Sequence, residues 1–345
     1  MIVESLSHIQ SAIIHWYAKE ARILPWRIAT SSSERPDPYR IWLSEVMLQQ
    51  TTVAAVIPYF EQFTTRWPTV LALAAAPPED ILSAWAGLGY YSRARNLIAC
   101  ANIITGRYEG QFPSDPIALR TLPGIGDYTA AAIGAIAFGK DCVPIDANIE
   151  RVIARLFAIQ QPLPTAKIAI AKAAKSLWPA NNGGNFAQAL MDLGAGPCSS
   201  RAPRCGDCPI ARWCMAHHYG IAAALPLKPA KKPKPERYGR AWWIEAERDG
   251  VASVWLVRRP PRGLLGGMRA LPGPEWSDAP TPPAADWREV GAVRHIFTHF
   301  ALTLTLHYSN DVALAVGEGE WWPIYALDEA GLPTLYRRAG ALVIA

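Results

Sequence analysis

The 345-residue sequence predicts an α+β chain in two domains, a helical one over residues 1–225 and a strand-bearing one over 241–345. Three observations carry this. Apolar residues recur at helical spacing through the first two hundred positions. The stretch PLKPAKKPKPERYGR, residues 226–240, alternates Pro with Lys and can neither hold a helix nor bury a core, so it reads as a basic linker. Beyond it the pattern turns strand-like, as where Leu302, Leu304 and Leu306 alternate with Thr303, Thr305 and His307. The length exceeds one typical core, and half the residues are apolar, so the chain should fold.

Composition narrows the function classes. No apolar run approaches the length of a bilayer span, and Glu4, His8 and Gln10 stand where a signal peptide would be purely hydrophobic. The expectation is a cytoplasmic protein with no membrane partner. Its formal net charge of +5 is uneven, with four Lys and two Arg against one Glu in the linker but nine basic against twelve acidic side chains after it. Such a balance permits a nucleic-acid partner without establishing one.

In chain order, Ile9, Ile13, Trp16 and Tyr17 recur at helix spacing until Leu24-Pro25-Trp26-Arg27 stops the helix at its proline. Residues 30–38 are polar and read as a loop, and 39–63 read as two helices meeting near 49–52. On the first of these Glu45 lies three or four residues from Ile41, Trp42, Leu48 and Gln49, sharing a face with apolar neighbours. A carboxyl so placed is poorly solvated, its pKa rises, and it suits a general acid near neutral pH. Periodicity alone equally allows a surface Glu at the edge of the stripe. Further on, Gly87 and Gly89 make a tight, exposed turn around Tyr90 and Tyr91.

The stretch LPGIGDYTAAAIGAIAFGK, starting at Leu122, organises the helical half. Pro123 lacks an N–H, and Gly124 and Gly126 permit positive φ, so a hairpin between two helices is expected over 116–138. The N–H groups of residues 124–127 are left uncovered at the start of the second helix, where the dipole favours a phosphate. Twenty residues after Gly126, Asp146 stands before the helix 148–157. From position alone it reads as an N-cap before it reads as a catalyst. Helices continue at 168–177 and 186–193. Cys198, Cys205, Cys208 and Cys214 follow, separated by six, two and five residues. Disulfides are not expected in a cytosolic chain, so four thiolates this close together read as a metal site, for zinc or for an iron–sulfur cluster. Arg201 and Arg204 make the loop between the first two basic and suited to phosphate. Strands are expected at 241–246, 251–258, 290–297 and 301–308, then one more strand and a closing helix in 321–345.

These motifs, in this order and over nearly the whole chain, resemble the helix-hairpin-helix DNA glycosylase superfamily, and within it the MutY-type adenine DNA glycosylases. The hairpin plus Asp146 is the superfamily signature, and the cysteine spacing is that of its 4Fe-4S loop. Residues 24–27, SEVMLQQT at 44–51, GLGYYSRAR at 87–95 and ALMDLGA around Asp192 match the MutY type. The resemblance implies a helical domain gripping duplex DNA, with Glu45 protonating a flipped adenine and Asp146 stabilising the cationic sugar. Tyr128 and Asn148 would orient these groups. It implies DNA or substrate contacts for Trp26, Arg27, Gln49, Gln50, Thr51, Tyr90, Gly124, Gly126 and Asp192, with Gln50 and Tyr90 entering the base stack. One 4Fe-4S cluster would sit on Cys198, Cys205, Cys208 and Cys214. Relatives that also cut the strand carry Lys where this chain has Tyr128, and a phenol cannot form their Schiff base. A monofunctional hydrolase follows.

Residues 241–345 resemble the family's Nudix-like domain, through GLLGGMRALP at 263–272. Pro280 to Asp286 offers no acidic Mg²⁺-binding helix. His295-Ile296-Phe297-Thr298-His299 corresponds to the segment that senses 8-oxoguanine opposite the adenine, with Phe297 wedging and Thr298 and His299 hydrogen-bonding. Two positions depart from the family pattern, Ala147 for Gly and Thr298 for Ser. The expectation is a monomeric base-excision-repair enzyme acting on A:8-oxoguanine or A:G pairs. Its competitors are a bifunctional glycosylase-lyase like endonuclease III and a catalytically silent iron–sulfur DNA-binding module.

Overall fold

Apolar stripes and local caps divide the first half of the chain into helices. In this computed structural model, which describes residues 2–32, 34–229, 233–260, 263–280 and 287–344, α1 (Ile2–Glu20) ends before Leu24-Pro25, as its proline requires. Then come α2 (Pro38–Leu48), capped by Asp37, and α3 (Val53–Arg66), capped by Thr52, with the break between them at residues 49–52. Short α4 (Val70–Ala75) and α5 (Pro78–Ala84) lead to α6 (Ser92–Tyr108). The hairpin joins α7 (Pro116–Arg120) to α8 (Asp127–Phe138), and Gly124 takes the positive φ of 77° that a side chain would resist. α9 (Ala147–Leu156), α10 (Ala166–Leu177), α11 (Gly183–Ala195) and α12 (Met215–His218) complete the series up to the linker. No helix among the described residues is long and apolar enough to cross a membrane.

The chain divides into two compact units, Met1–Ala74 with Ala99–Ala230, and Ala75–Ile98 with Lys231–Ala345. In the first, α11 packs on α1, α8 and α9, and Ile13, Ile149, Ile153, Ile170, Phe186 and Leu190 are buried together. Close approach of α11 to α8 depends on Gly184, because a Cβ there would lie 2.6 Å from the carbonyl oxygen of Ala135.

The second unit is built on a sheet of β1 (Glu236–Arg248), β2 (Val251–Arg258), β3 (Arg269–Ala270), β4 (Arg288–Ile296), β5 (Ala301–Ser309) and β6 (Gly319–Pro323). Its order is β3-β2-β1-β5-β4, with β6 pairing β2. β1 and β5 run parallel and the other pairs are antiparallel. β1 starts at Glu236, inside the segment read from sequence as linker. Its first five residues pair with Ala301–Thr305, and this pairing outweighs the local Pro and Lys content. From Glu236 to Ile244 it pairs with β5, and from Glu245 to Arg248 with β2. Trp243, Leu302, Leu304, Leu306 and Tyr336 of the closing helix α13 (Thr334–Ile344) fill the core. Residues 281–286, most of the stretch read as lacking a metal-binding helix, lie outside the described residues. The stretch 75–98 joins this unit through Arg95, whose Nη1 donates to the Gly266 carbonyl at 2.5 Å, and Ser83, whose hydroxyl donates to the Glu329 carbonyl at 3.5 Å.

Candidate active site

Glu45 is 7 % exposed on α2, where Ile41, Trp42 and Val46 surround it. Burial pushes its carboxyl up to about 7; a hydrogen bond from the Tyr128 hydroxyl and the Arg27 cation pull the other way, while Asp146 adds to the rise. The Tyr128 phenol is held well above its usual range by burial and by the two carboxylates, so it stays a neutral donor. Asp146 is the N-cap of α9 and also lines a cavity with Glu45. Its Oδ1 accepts the backbone N–H of Asn148 at 3.0 Å and of Ile149 at 2.7 Å, while Oδ2 accepts Asn148 Nδ2 at 2.7 Å. Burial raises its pKa, and these hydrogen bonds and Arg151 partly restrain the rise.

Asn148 is fixed from behind. Arg151 Nη2 donates to Asn148 Oδ1 at 2.9 Å and to the Gly194 carbonyl at 2.6 Å, and its Nε donates to the Cys198 carbonyl at 2.9 Å. Gly194 lets α11 come this close, since a Cβ there would lie 2.6 Å from Asn148 Cβ. Gly194→Ala is expected to displace Asn148 and with it the Asp146 carboxylate. The single-turnover rate should fall by about tenfold to a hundredfold, the scale of a misplacement near 1 Å, and a rate equal to wild type would refute this chain of support. Ala147 has no positive φ and simply opens α9, so nothing in the backbone calls for the glycine usual at that position.

Glu45, Tyr128, Asp146 and Asn148 all line one cavity of about 550 Å³, together with Trp26, Arg27, Gln49, Gln50 and Thr51. Its size lies within the range of small-molecule sites. Gln49 is tied to α8 by its Nε2 donating to Thr129 Oγ1 at 3.4 Å. Gln50 is exposed and left-handed, with φ 59°, a conformation that in a residue other than glycine is concentrated at functional sites. Asp192 does not line the cavity. It is 3 % exposed, and its carboxylate takes a fork from Arg27 (2.7 and 2.9 Å) and both the backbone N–H and the guanidinium of Arg22. It thus holds two cavity-lining arginines in place and reaches the site only through them. Gly124 and Gly126 stay in the hairpin, where the α8 N-cap Gly126 offers no side-chain cap and leaves the first N–H groups open.

Sequence reasoning missed Gln188 and Met191 on α11 and Arg22 at the end of α1, which also line the cavity. Gln188 could have been found, because it stands four residues before Asp192 and shares its face. Its Nε2 spends only a weak bond, 3.4 Å to the Gly184 carbonyl.

The second unit holds the remaining residues. Tyr90 is 44 % exposed with φ 49°, and its hydroxyl accepts from Thr298 Oγ1 at 3.1 Å. His299 is exposed. Phe297, expected as a wedge, is half-buried and stacked on Trp276 at 5.5 Å.

Cys198, Cys205, Cys208 and Cys214 line another small cavity. Among the described residues no three His, Cys, Asp or Glu side chains are gathered as a metal-ion site. The surroundings nevertheless suit an anionic metal–sulfur group. Arg155 is 1 % exposed with its guanidinium directed at the carbonyls of Cys198, Ser199, Ser200 and Leu225 and at Cys198 Sγ (3.3 Å). Backbone N–H groups donate to the sulfurs of Cys208 and Cys214. A buried cation and N–H donors around sulfur are what thiolate ligands need.

Comparison with known proteins bears on the fold and the family. Residues 43–180 match the HhH-GPD superfamily of base excision DNA repair proteins, and 241–341 match the NUDIX domain. The chain is 40 % identical to the adenine DNA glycosylase of Mycolicibacterium smegmatis over 70 % of its own length and 81 % of that protein's. With the Homo sapiens adenine DNA glycosylase the identity is 31 %, over 88 % of this chain and 67 % of the human one. Among solved structures, a thermostable thymine-DNA glycosylase superposes with a TM-score of 0.56 at 29 % identity, covering 63 % of this chain and 98 % of its own. A buried acid, a capped carboxylate and a neutral phenol around one cavity, on a fold and sequence shared with these proteins, place the chain in the adenine DNA glycosylase family of base excision repair.

Proposed function

We propose that the protein hydrolyses the N-glycosidic bond of adenine paired with 8-oxoguanine or guanine in duplex DNA, without cutting the strand. The observation that carries this is the convergence of Glu45, Tyr128 and Asp146 on one cavity. The adenine, extruded from the stack, enters that cavity, and Gln188 can offer its edge a donor and an acceptor. Protonated Glu45 gives its proton to N7. The N9–C1′ bond breaks with its electron pair leaving on the purine, and Asp146 stabilises the oxocarbenium sugar beside it. Water forms the new bond to C1′ and yields its proton to the carboxylate left ionised. Tyr128 fixes the Glu45 carboxyl, and Asn148 fixes Asp146.

Open N–H groups at the hairpin fit a DNA phosphate. Gln50 and Tyr90, both exposed and both left-handed, fit residues that fill the stack where the base has left. Thr298 and His299 are the groups available to read the opposite base. Cys198, Cys205, Cys208 and Cys214 are the ligands we assign to a 4Fe-4S cluster, with Arg155 compensating its charge. Such a cluster, when bound, supplies a structural cross-link for the loop that carries Arg201 and Arg204. Purified protein should be brown, and its colour and iron content should fall together when Cys208 is replaced by Ser.

Single-turnover excision on A:8-oxoguanine, A:G and oxidised-pyrimidine duplexes, with borohydride present, tests the reading. Adenine should be released with no covalent DNA adduct. A trapped adduct would establish an amine nucleophile and refute the hydrolytic assignment. Release of oxidised pyrimidines in place of adenine would refute the substrate.

A further inference from the structure

We propose that Trp276 is a positioning residue for the opposite-base loop, an indole shelf that sets where Phe297 and Thr298 stand. The inference rests on the reading of that loop given above. The Trp276 ring stacks on Phe297 at 5.5 Å and 28°, and meets Phe300 edge-on at 6.2 Å. Phe297 and Phe300 are 4.9 Å apart, and His295 approaches Phe297 edge-on at 4.6 Å. Two cations close the stack, Arg259 at 5.1 Å from the indole and Arg237 at 4.8 Å from Phe300. On the backbone, Phe297 N–H donates to the Phe300 carbonyl at 2.8 Å, and the Lys234 ammonium donates to the Phe297 carbonyl at 2.6 Å. The loop therefore has one residue, Phe297, pressed into an aromatic seat, and the next, Thr298, held outward against Tyr90.

The shelf is itself fixed. Its neighbour Ser277 exchanges backbone hydrogen bonds with Tyr238 at 2.8 and 2.9 Å. Gly239 lies under the indole, where a Cβ would come within 2.5 Å of Trp276 Cδ1. Arg259, on the other side, is anchored by Nη1 donating to the Tyr336 hydroxyl at 3.1 Å. The consequence of this stacking is geometric. A hydroxyl that must meet one oxidised base needs a loop in one conformation, and Trp276 is the surface that defines it.

The test compares single-turnover excision from A:8-oxoguanine and A:G duplexes by the full chain. Trp276→Ala should lower the ratio of the two rates by about tenfold, leaving the A:G rate unchanged, and Trp276→Phe should restore the ratio. Gly239→Ala, whose methyl would push the indole off its seat, should lower the ratio in the same way and serves if Trp276→Ala does not fold. Thr298→Ala separates the two levels of inference. If it lowers the ratio while Trp276→Ala and Gly239→Ala leave it unchanged, the shelf is refuted and the loop's role stands. If none of the three changes it, the reading of the loop itself fails. Equal losses on both duplexes in the Trp276 variants would show packing alone and overturn the proposal.

Discussion

Asp146→Asn is expected to abolish adenine release while leaving the fold and DNA binding in place. Asn caps helices as well as Asp does, and its amide oxygen can keep the bonds that Oδ1 accepts from the N–H groups of Asn148 and Ile149. Removed instead is the negative charge beside the sugar. The new NH₂ also faces Asn148 Nδ2, a donor that now meets a donor where Oδ2 had accepted at 2.7 Å. Losing charge stabilisation aimed at a transition state costs on the order of 10³-fold in rate when a single donor is removed, and a full carboxylate at a developing cation should cost at least that. Single-turnover excision measures the rate, and mismatch-duplex titration measures binding. A variant whose rate stays within about tenfold of wild type would leave Asp146 as a cap and nothing more.

The second large effect is at Glu45, and it has a pH signature. With its carboxyl at about 7, the acid keeps a substantial protonated fraction at neutral pH and is protonated below it. The excision rate should therefore hold level on the acid side and fall as pH rises through 7. Glu45→Gln keeps a side-chain oxygen for the Tyr128 hydroxyl but has no proton to give. A loss of about 10²–10⁴-fold and disappearance of that alkaline limb are expected. The contribution of Glu45 to stability should also fall as pH rises. The folded carboxyl binds its proton more tightly than the unfolded one, whose value is 4.5. Its contribution is thus complete below that value and is lost as pH rises through about 7. Thermal unfolding should find Glu45→Gln more stable than wild type at pH 8, with the gap closing toward pH 5. A limb unchanged in the variant would assign the titration to another group.

Much of this site was legible in the sequence because its parts are local. Glu45 could be placed in an apolar stripe from its i±3 and i±4 neighbours, and Asp146 before a helix from the apolar run Val143-Pro144-Ile145 that gives way there. The hairpin glycines announced positive φ, which Gly124 has and Gly126, at −92°, does not. What escaped lies in contacts between residues far apart. That Asp192 would be consumed by Arg22 and Arg27, some 170 residues away, leaves no periodic trace. Nor does the seating of Phe297 on Trp276. The early start of β1 has the same origin, since a segment rich in Pro and Lys became a strand through its pairing with β5.

That strand has a mechanical meaning for the C-terminal unit. β1 pairs with β5 up to Ile244 and with β2 from Glu245, and Val254 and Leu256 of β2 share one buried cluster with Leu302, Leu304 and Leu306 of β5, so backbone and core both join the two groups of strands. The unit should accordingly open and close as one cooperative body rather than as two flaps, and the loop at residues 295–299 inherits the rigidity of the whole.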